Sequence, residues 1–296
     1  MKILTWMIFL IVFLTGRSLA QDSFADIQSL IAAGDSHWEN RDKDAQGSHA
    51  DPKEINEAIE AYRQGLAVAP DSLAIRWRLM RALYFKGEYA TDNLEEKKKI
   101  FQEGKTIGEE FLRSVQQEAS QRVGKPLERA GPVALAPHFK NSSDVAAGFL
   151  WSSANWGGWA LAFGKLQAVR QGAAAKIRDL ATAVIAIDQN FLDGGGYRIL
   201  GRLHHQTPAV PFITGWTSTK EAVSYLRKAV QLGPRNLLNG LYLAEALWDL
   251  GGDDSRKEAI KLAEELVHAS PEPKFLVEER RVQELAQADL HRWKKG

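Results

Sequence analysis

A junction between two helical patterns constrains the fold of this chain more than any other sequence feature. The stretch 221–250 reads EAVSYLRKAVQLGPRNLLNGLYLAEALWDL, and apolar residues recur at helical spacing on both sides of Gly233-Pro234-Arg235-Asn236. Because proline lacks an amide hydrogen and clashes with the preceding turn, Pro234 cannot continue the first helix. Two helices joined in this way are typical of the junction between tetratricopeptide repeats, whose length is about 34 residues.

Similar units recur along the chain once this junction sets the register. The second helix of a tetratricopeptide repeat carries small or aromatic residues at fixed spacing, with a proline after its end. The first unit has them at Ala58, Tyr62, Gly65 and Pro70, and the fifth at Ala259, Ala263, Leu266 and Pro271. The sequence therefore predicts an all-α fold, a tetratricopeptide-like helical-hairpin array of about five helix pairs. A closing C-terminal helix over 274–293 is expected to hide the last apolar face.

The predicted array is a single domain over 21–296, because such an array buries its core between neighbouring units. The N-terminal repeats occupy 24–123 and the C-terminal repeats occupy 143–273. The connector between them, 124–142, contains three prolines, and we expect it to be structureless. The polar insertion Arg41 to Pro52 interrupts the first unit and is expected to form a surface loop.

The N-terminus predicts export. An apolar run from Ile3 to Leu14 is followed by small residues at Ser18 and Ala20, which is typical of a signal peptide over 1–20 cleaved before Gln21. This run is shorter than the roughly 20 residues that a membrane span needs, which favours a cleaved signal over an anchor. The chain contains no cysteine, so we expect no disulfide, no thiolate metal site and no cysteine-linked lipid anchor. We expect the mature protein in the periplasm.

Composition and motifs give no sign of catalysis. The 38 basic and 37 acidic residues leave a net charge of +1, without a long-range bias toward nucleic acid or anionic membrane. Adjacent residues on a helix point about 100° apart, so His204 and His205 cannot both face one metal ion. No metalloprotease, nucleophile or phosphate-loop motif is present, and we predict a protein that is not an enzyme and uses no cofactor or metal. An enzyme with a less obvious site is the alternative.

One predicted helix near the middle of the chain is unusually aromatic. Its residues Trp151, Asn155, Trp156, Trp159 and Phe163 fall within an arc of about 160°. Small residues occupy the other side of the helix, where a neighbour can approach closely. The aromatic arc either fills a bulky core or lines a concave pocket in which Asn155 is a polar contact.

Three consecutive glycines precede Tyr197 and Arg198 at the start of the next predicted helix. We interpret them as a flexible turn between units rather than a phosphate loop, because Asp193 would repel an anion and no strand precedes them. Arg198 and Arg202 lie one helical turn apart. They could hold the carboxylate of a ligand, or pair with Asp188 or Asp193.

Several of these segments together resemble a known family, the T component (TatT) of TRAP-type transporters. The resemblance is best over 143–250. Its segments are the aromatic helix from Trp151 to Phe163, Ala186-Ile187-Asp188-Gln189-Asn190-Phe191, Gly195-Gly196-Tyr197-Arg198-Ile199-Leu200-Gly201-Arg202, the proline-rich loop after it, Glu221-Ala222 and Tyr225-Leu226-Arg227-Lys228-Ala229.

The resemblance implies an all-α periplasmic protein that contains a ligand-sized hydrophobic bore and assembles as a trimer. Its partner would be the extracytoplasmic solute-binding protein of a transporter. The family includes lipoproteins, and this chain departs from it by lacking cysteine and by carrying the insertion in the first unit.

We therefore expect a small, partly hydrophobic or carboxylate-bearing ligand. The expected cavity residues are Trp151, Asn155, Trp156, Trp159, Phe163, Tyr197, Arg198 and Arg202. A general periplasmic scaffold for protein–protein interaction, with no small-molecule role, is the alternative function.

Overall fold

A computed structural model describes residues 26–295 as an array of α-helices. Over that range the only β feature is an isolated antiparallel bridge between Gln46 and His49. The predicted all-α helical-hairpin array is therefore confirmed. None of the helices described is both long enough and apolar enough to cross a bilayer. The predicted signal peptide lies outside the described residues.

The helices form five main pairs, in which a first and a second helix run antiparallel, and one further helix follows them. The helices are α1 over 26–39, α2 Pro52–Val68, α3 Leu73–Tyr89, α4 Leu94–Val123, α5 Pro132–Leu135, α6 Ser143–Phe163, α7 Lys165–Arg170, α8 Ala173–Ile187, α9 Phe191–Gln206, α10 Thr219–Leu232, α11 Leu237–Leu250, α12 Asp253–His268 and α13 Leu276–Trp293. The first helices of the pairs are α1, α3, α6, α9 and α11, and α13 follows as the closing helix.

Local sequence explains the helix boundaries at the junction that set the register. Helix α10 ends at Leu232, and Gly233 caps it as its amide donates to the carbonyl oxygen of Ala229. Helix α11 begins at Leu237, and the side chain of Asn236 accepts the amide hydrogen of Asn239 at its N-terminus. Asparagine is among the preferred residues for this position, because its side chain satisfies an unpaired amide of the first turn.

Two apolar clusters form the core, and the closing helix contacts both of them. The first cluster runs from α1 to α9 and is rich in aromatic residues, and Val277 at the start of α13 belongs to it. The second cluster joins α10, α11, α12 and the remainder of α13, which contributes Val282 and Leu290. Helix α13 therefore covers the last pair and also connects it to the N-terminal pairs.

The insertion between α1 and α2 closes the array, and the prediction of a simple surface loop is wrong. The Arg41 side chain is almost completely buried. Its guanidinium carbon lies 4.3 Å from the centre of the Trp38 ring, and its Nη2 donates to Glu278 Oε1 over 2.8 Å. Ser48 in the same insertion donates a hydrogen bond to Glu284. Because Glu278 and Glu284 belong to α13, the two ends of the array are in contact.

The connector 124–142 is also more ordered than predicted. Helix α4 ends at Gly124, which adopts a left-handed conformation with φ of 66°. The short helix α5 and a 3-10 turn over Ala136–Phe139 follow it. Leu135 and Phe139 are fully buried in the first cluster. The expectation of a structureless segment is therefore wrong, because its few apolar side chains are sufficient to fix it against α8.

Candidate functional site

Side chains from successive first helices meet on the inner side of the array. The Tyr84 ring on α3 lies 5.7 Å from the Trp151 ring on α6, measured between ring centroids. Between the next two first helices, the guanidinium carbon of Arg202 on α9 lies 4.2 Å from the centre of the Tyr242 ring on α11. Burial is the main cause that raises the pKa of both tyrosines, and the nearby charge of Arg198 opposes it in each. The four helices therefore face a shared interior.

The tyrosines that face this interior are only partly buried. Tyr84, Tyr89 and Tyr242 each keep part of their surface accessible to solvent. Burial nevertheless raises the pKa of all three phenols, well above the usual range for Tyr84 and Tyr89. A phenol on the outer surface would not be desolvated in this way. From these two properties we infer that the three side chains border an internal space surrounded by protein, which we call the interior chamber.

The tyrosine hydroxyls of the chamber are available to a ligand. Among the described residues, Tyr62 is the only tyrosine whose hydroxyl has a hydrogen-bond partner, and it lies outside the chamber. The hydroxyls of Tyr84, Tyr89 and Tyr242 can therefore donate to an anion or to water. Their rings offer apolar contact area on the same side chains.

Unpaired charges of both signs lie around the chamber. Arg202 forms an ion pair with Glu245. Arg198, and Arg281 beside Tyr89, have no ion-pair partner in the range 26–295, and the unpaired carboxylates nearby are Glu88 and Asp193. The unpaired guanidinium groups can bind an anionic guest, because an arginine fork matches the geometry of a carboxylate.

Three of the predicted site residues lie at this chamber: Trp151, Arg198 and Arg202. The two arginines do not form the ion pairs with Asp188 or Asp193 that the sequence left open. Instead, Arg198 Nη1 donates to Asn239 Oδ1 over 2.9 Å and to the carbonyl oxygen of Leu192 over 3.3 Å. These bonds hold the guanidinium in place and leave its other nitrogens available.

The other aromatic residues of α6 pack against α4 and α8, away from the chamber. Trp156 and Trp159 are buried in the first cluster, with ring centroids 5.5 Å apart. Phe163 stacks on Trp159 at 4.9 Å. The Nζ of Lys105 on α4 lies 4.5 Å from the centre of the Trp156 ring, and Trp159 Nε1 donates to Gln102 Oε1 over 2.8 Å. Their predicted role in ligand binding stays a prediction.

Asn155 is completely buried between α3, α4 and α6. Its Nδ2 donates to the carbonyl oxygens of Met80, over 2.9 Å, and Trp151, over 2.8 Å. A Cβ atom at Gly104 on α4 would lie 2.0 Å from Asn155 Oδ1, so the two helices meet closely at this point. The polar contact that Asn155 makes is therefore with backbone groups of α3 and of its own helix.

Tyr197 lies on a third surface, between α9 and α10. Its ring centroid is 6.4 Å from that of Tyr225. Tyr225 in turn packs at 5.3 Å from His204, which is 5.2 Å from Trp216 in the loop before α10. The glycines before Tyr197 form a turn with left-handed backbone at Gly194, where φ is 74°. Gly194, Gly195 and Gly196 are buried, so this turn is a packed junction.

Sequence reasoning missed most of the chamber. It did not single out Tyr84, Glu88 or Tyr89 on α3, Tyr242 on α11 or Arg281 on α13. The sequence does contain a signal for these positions. Three of the first helices carry two polar or aromatic residues that lie one helical turn apart. The pairs are Tyr84 with Glu88, Arg198 with Arg202, and Tyr242 with Glu245. In a repeat array, such equivalent positions line the concave side together.

A groove on the outer surface is separate from the chamber. An open groove of about 600 Å³ lies between α2 and α4, with Leu79 and Ile107 at its base and Arg63, Lys99 and Glu103 around it. Over residues 26–295, no three histidine, aspartate or glutamate side chains are grouped so that they could hold a metal ion.

No protein-family model matches the sequence, and no curated protein is significantly similar to it.

Proposed function

We propose that this chain is a non-enzymatic exported carrier that binds a small organic anion with a partly apolar body in its interior chamber. The observation that supports this most strongly is the combination of three unbonded tyrosine hydroxyls with two unpaired arginines around one internal space. Aromatic rings would contact the apolar body, and an arginine fork would hold the carboxylate.

The resemblance to TRAP-type T components extends the proposal to a pathway and a compartment. The carrier would work in the periplasm, as a trimer, and would pass its ligand to the solute-binding protein of a transporter. Export requires cleavage before Gln21, so mass spectrometry of periplasmic material should find the mature chain beginning there. An uncleaved chain in the inner membrane would contradict this part of the proposal.

Anilinonaphthalene sulfonate is a suitable probe, since it is an anion with an aromatic body and its fluorescence rises at apolar sites. We expect it to bind the wild-type chain and to bind Arg281→Gln about tenfold more weakly, because one charge-assisted hydrogen bond is lost. Tyr84→Phe, which removes only a hydroxyl, should weaken binding by a smaller factor.

Arg113→Gln is the matched control, because Arg113 is an exposed arginine on the outer helix α4. It should leave the affinity unchanged. Equal affinity of Arg281→Gln and wild type, with both proteins folded, would contradict the proposed site.

A second candidate function is the general interaction scaffold. The open groove between α2 and α4 favours it, because exposed charged side chains surround an apolar base there. Leu66 also lines this groove. The scaffold predicts binding of a partner protein that is insensitive to Arg281→Gln and is lost when Leu66→Glu places a charge there. The carrier predicts that a solute-binding partner responds to occupancy of the chamber.

A further inference from the structure

The strongest surface feature outside the chamber is an exposed apolar patch at one end of two neighbouring pairs. Its first part is the end of α6 and the short helix α7, where Leu161, Leu166 and Val169 are exposed, the first by 81%. Its second part is the loop between α9 and α10, where Phe212 is fully exposed and Ile213 is 52% exposed. Exposed apolar groups that cluster in this way mark interaction surfaces.

The two parts lie at the same end of the molecule. The guanidinium carbon of Arg178, in the first half of α8, lies 4.9 Å from the centre of the Trp216 ring, so α8 packs against the loop that carries Phe212. Helices α6 and α9 both end at this side of the molecule, since α8 and α10 start there and run back. We call the combined surface, formed by 161–170 and 208–213, the apolar end face.

The loop is held in a fixed shape that exposes Phe212. Thr214 Oγ1 accepts the amide hydrogen of Val210 over 3.0 Å and donates to the carbonyl oxygen of Pro208 over 2.6 Å. Thr217 Oγ1 donates to the carbonyl oxygen of Thr207 over 2.9 Å. Phe212 itself adopts a left-handed backbone with φ of 63°, which is unfavourable for a bulky residue. Such strain persists where surrounding bonds impose it, and it concentrates at functional segments.

Basic residues predominate in the segments that form the end face, although Asp179 and Glu221 directly follow them. The segments 161–178 and 207–220 contain five basic residues and no acidic residue, although the whole chain is nearly neutral. Two of the five have acidic neighbours, since Arg178 pairs with Asp179 and Lys176 lies 3.9 Å from Glu109. Lys165, Arg170 and Lys220 are exposed and form no ion pair with the described residues. The end face therefore combines projecting apolar side chains with unpaired cations.

We propose that the apolar end face docks the protein on a lipid bilayer that carries anionic headgroups. Apolar side chains with interspersed lysine and arginine are what interfacial membrane binding requires, because the former insert and the latter attract the headgroups. A bilayer fits better than a protein partner, because the side chains project from a helix end and a loop tip instead of lining a groove.

Because the chain contains no cysteine, single-cysteine variants can carry a fluorescent label at one chosen position. Phe212→Cys and Leu166→Cys would be labelled with an environment-sensitive dye, and so would Leu285→Cys on α13, which is 41% exposed and serves as the control. Each would be titrated with vesicles of phosphatidylcholine alone and with vesicles that also contain phosphatidylglycerol. Any contribution of the N-terminal segment is common to all variants.

We expect the labels at 212 and 166 to shift to the blue with anionic vesicles, while the label at 285 stays unchanged. Combining either label with Lys165→Glu and Arg170→Glu should raise the lipid concentration needed by at least about tenfold. An unchanged label at 212, or an equal shift at 285, would overturn the proposal. Sedimentation with anionic vesicles while the labels at 212 and 166 remain in water would also overturn it, because another surface would then contact the lipid.

Discussion

The C-terminal pairs and the central pairs of this array solve the same packing problem with different residues. In the C-terminal pairs, alanines form the crossings, and Ala222, Ala229 and Ala263 are completely buried. In the central pairs, large rings pack onto glycine. A Cβ atom at Gly148 on α6 would lie 1.9 Å from the ring of Phe111 on α4. Both arrangements bring helices close, but only the alanine version follows a repeat that the sequence displays.

The difference affects where a ligand can bind. The aromatic side chains of α6 that face α4 are occupied in holding the central pairs together. The aromatic side chains that face inward are only partly buried, namely Trp151 on α6, Tyr84 on α3 and Tyr242 on α11. Helix α6 thus carries aromatic residues on two sides. Those that face α4 hold the central pairs together, and Trp151 faces the interior.

The largest effect is expected in the alanine region. Ala229→Arg places an uncompensated charge at a fully buried crossing, which should destabilise the fold by about 3–5 kcal/mol. Thermal unfolding followed by circular dichroism measures this. Gln231→Arg, at an exposed position of the same helix, should melt like wild type. Similar melting of Ala229→Arg and Gln231→Arg would show that the crossing is not packed as described.

A smaller effect tests the glycine packing of the central pairs. Gly148→Ala should destabilise the fold by about 1–3 kcal/mol, because Phe111 must move to make room for a methyl group. Gly157→Ala on the same helix meets no atom within 4 Å. It should stabilise the fold by about 0.5–1 kcal/mol, since alanine is the better helix former. Chemical denaturation of both variants gives the two signs, and equal signs would refute the packing.

The smallest effect is expected in the pH dependence of stability, which should differ between the closing helix and the outer face of the C-terminal pairs. Burial, with Glu245 nearby, raises the pKa of Asp289 on α13 above 3.8. Its stabilising contribution is present below the unfolded pKa and is lost as pH rises through the folded pKa. Asp289→Asn should therefore be more stable than wild type at neutral pH, by on the order of 1 kcal/mol or less, with the difference vanishing below about pH 3.8.

Glu258 on α12 should behave in the opposite way. Its hydrogen bond with Arg227 lowers its pKa below 4.5, so its contribution is present above that value and lost in acid. Glu258→Gln should thus be less stable than wild type at neutral pH and approach it as pH falls. Denaturation curves at several pH values compare the two pairs of proteins. The same pH trend for both substitutions would contradict the two environments.

Local signals predicted the fold because they act within a few residues. Gly233 and Pro234 end one helix whatever lies around them, and small residues such as Ala229 mark a crossing. Long-range contacts were not predictable in this way. The burial of Arg41 depends on Glu278, which is 237 residues away, and no local pattern connects them.

The candidate site was predicted only in part for the same reason. The spacing of aromatic residues on α6 gives their shared face but not the identity of the neighbour, so it could not separate Trp151 from Trp156 and Trp159. Tyr84 and Tyr242 each occupy an inward position on their helix, and such a position carries no signal until the helices are assembled.

Affinity of anilinonaphthalene sulfonate for Trp151→Ala and Trp159→Ala tests the division of α6 most directly. The measurement would use a temperature at which circular dichroism shows both variants folded. We predict that Trp151→Ala weakens binding by about fivefold to tenfold, because its ring borders the chamber beside Tyr84. Trp159→Ala should bind like wild type. Weakened binding in Trp159→Ala together with wild-type affinity in Trp151→Ala would contradict the account and place the ligand on the other side of the helix.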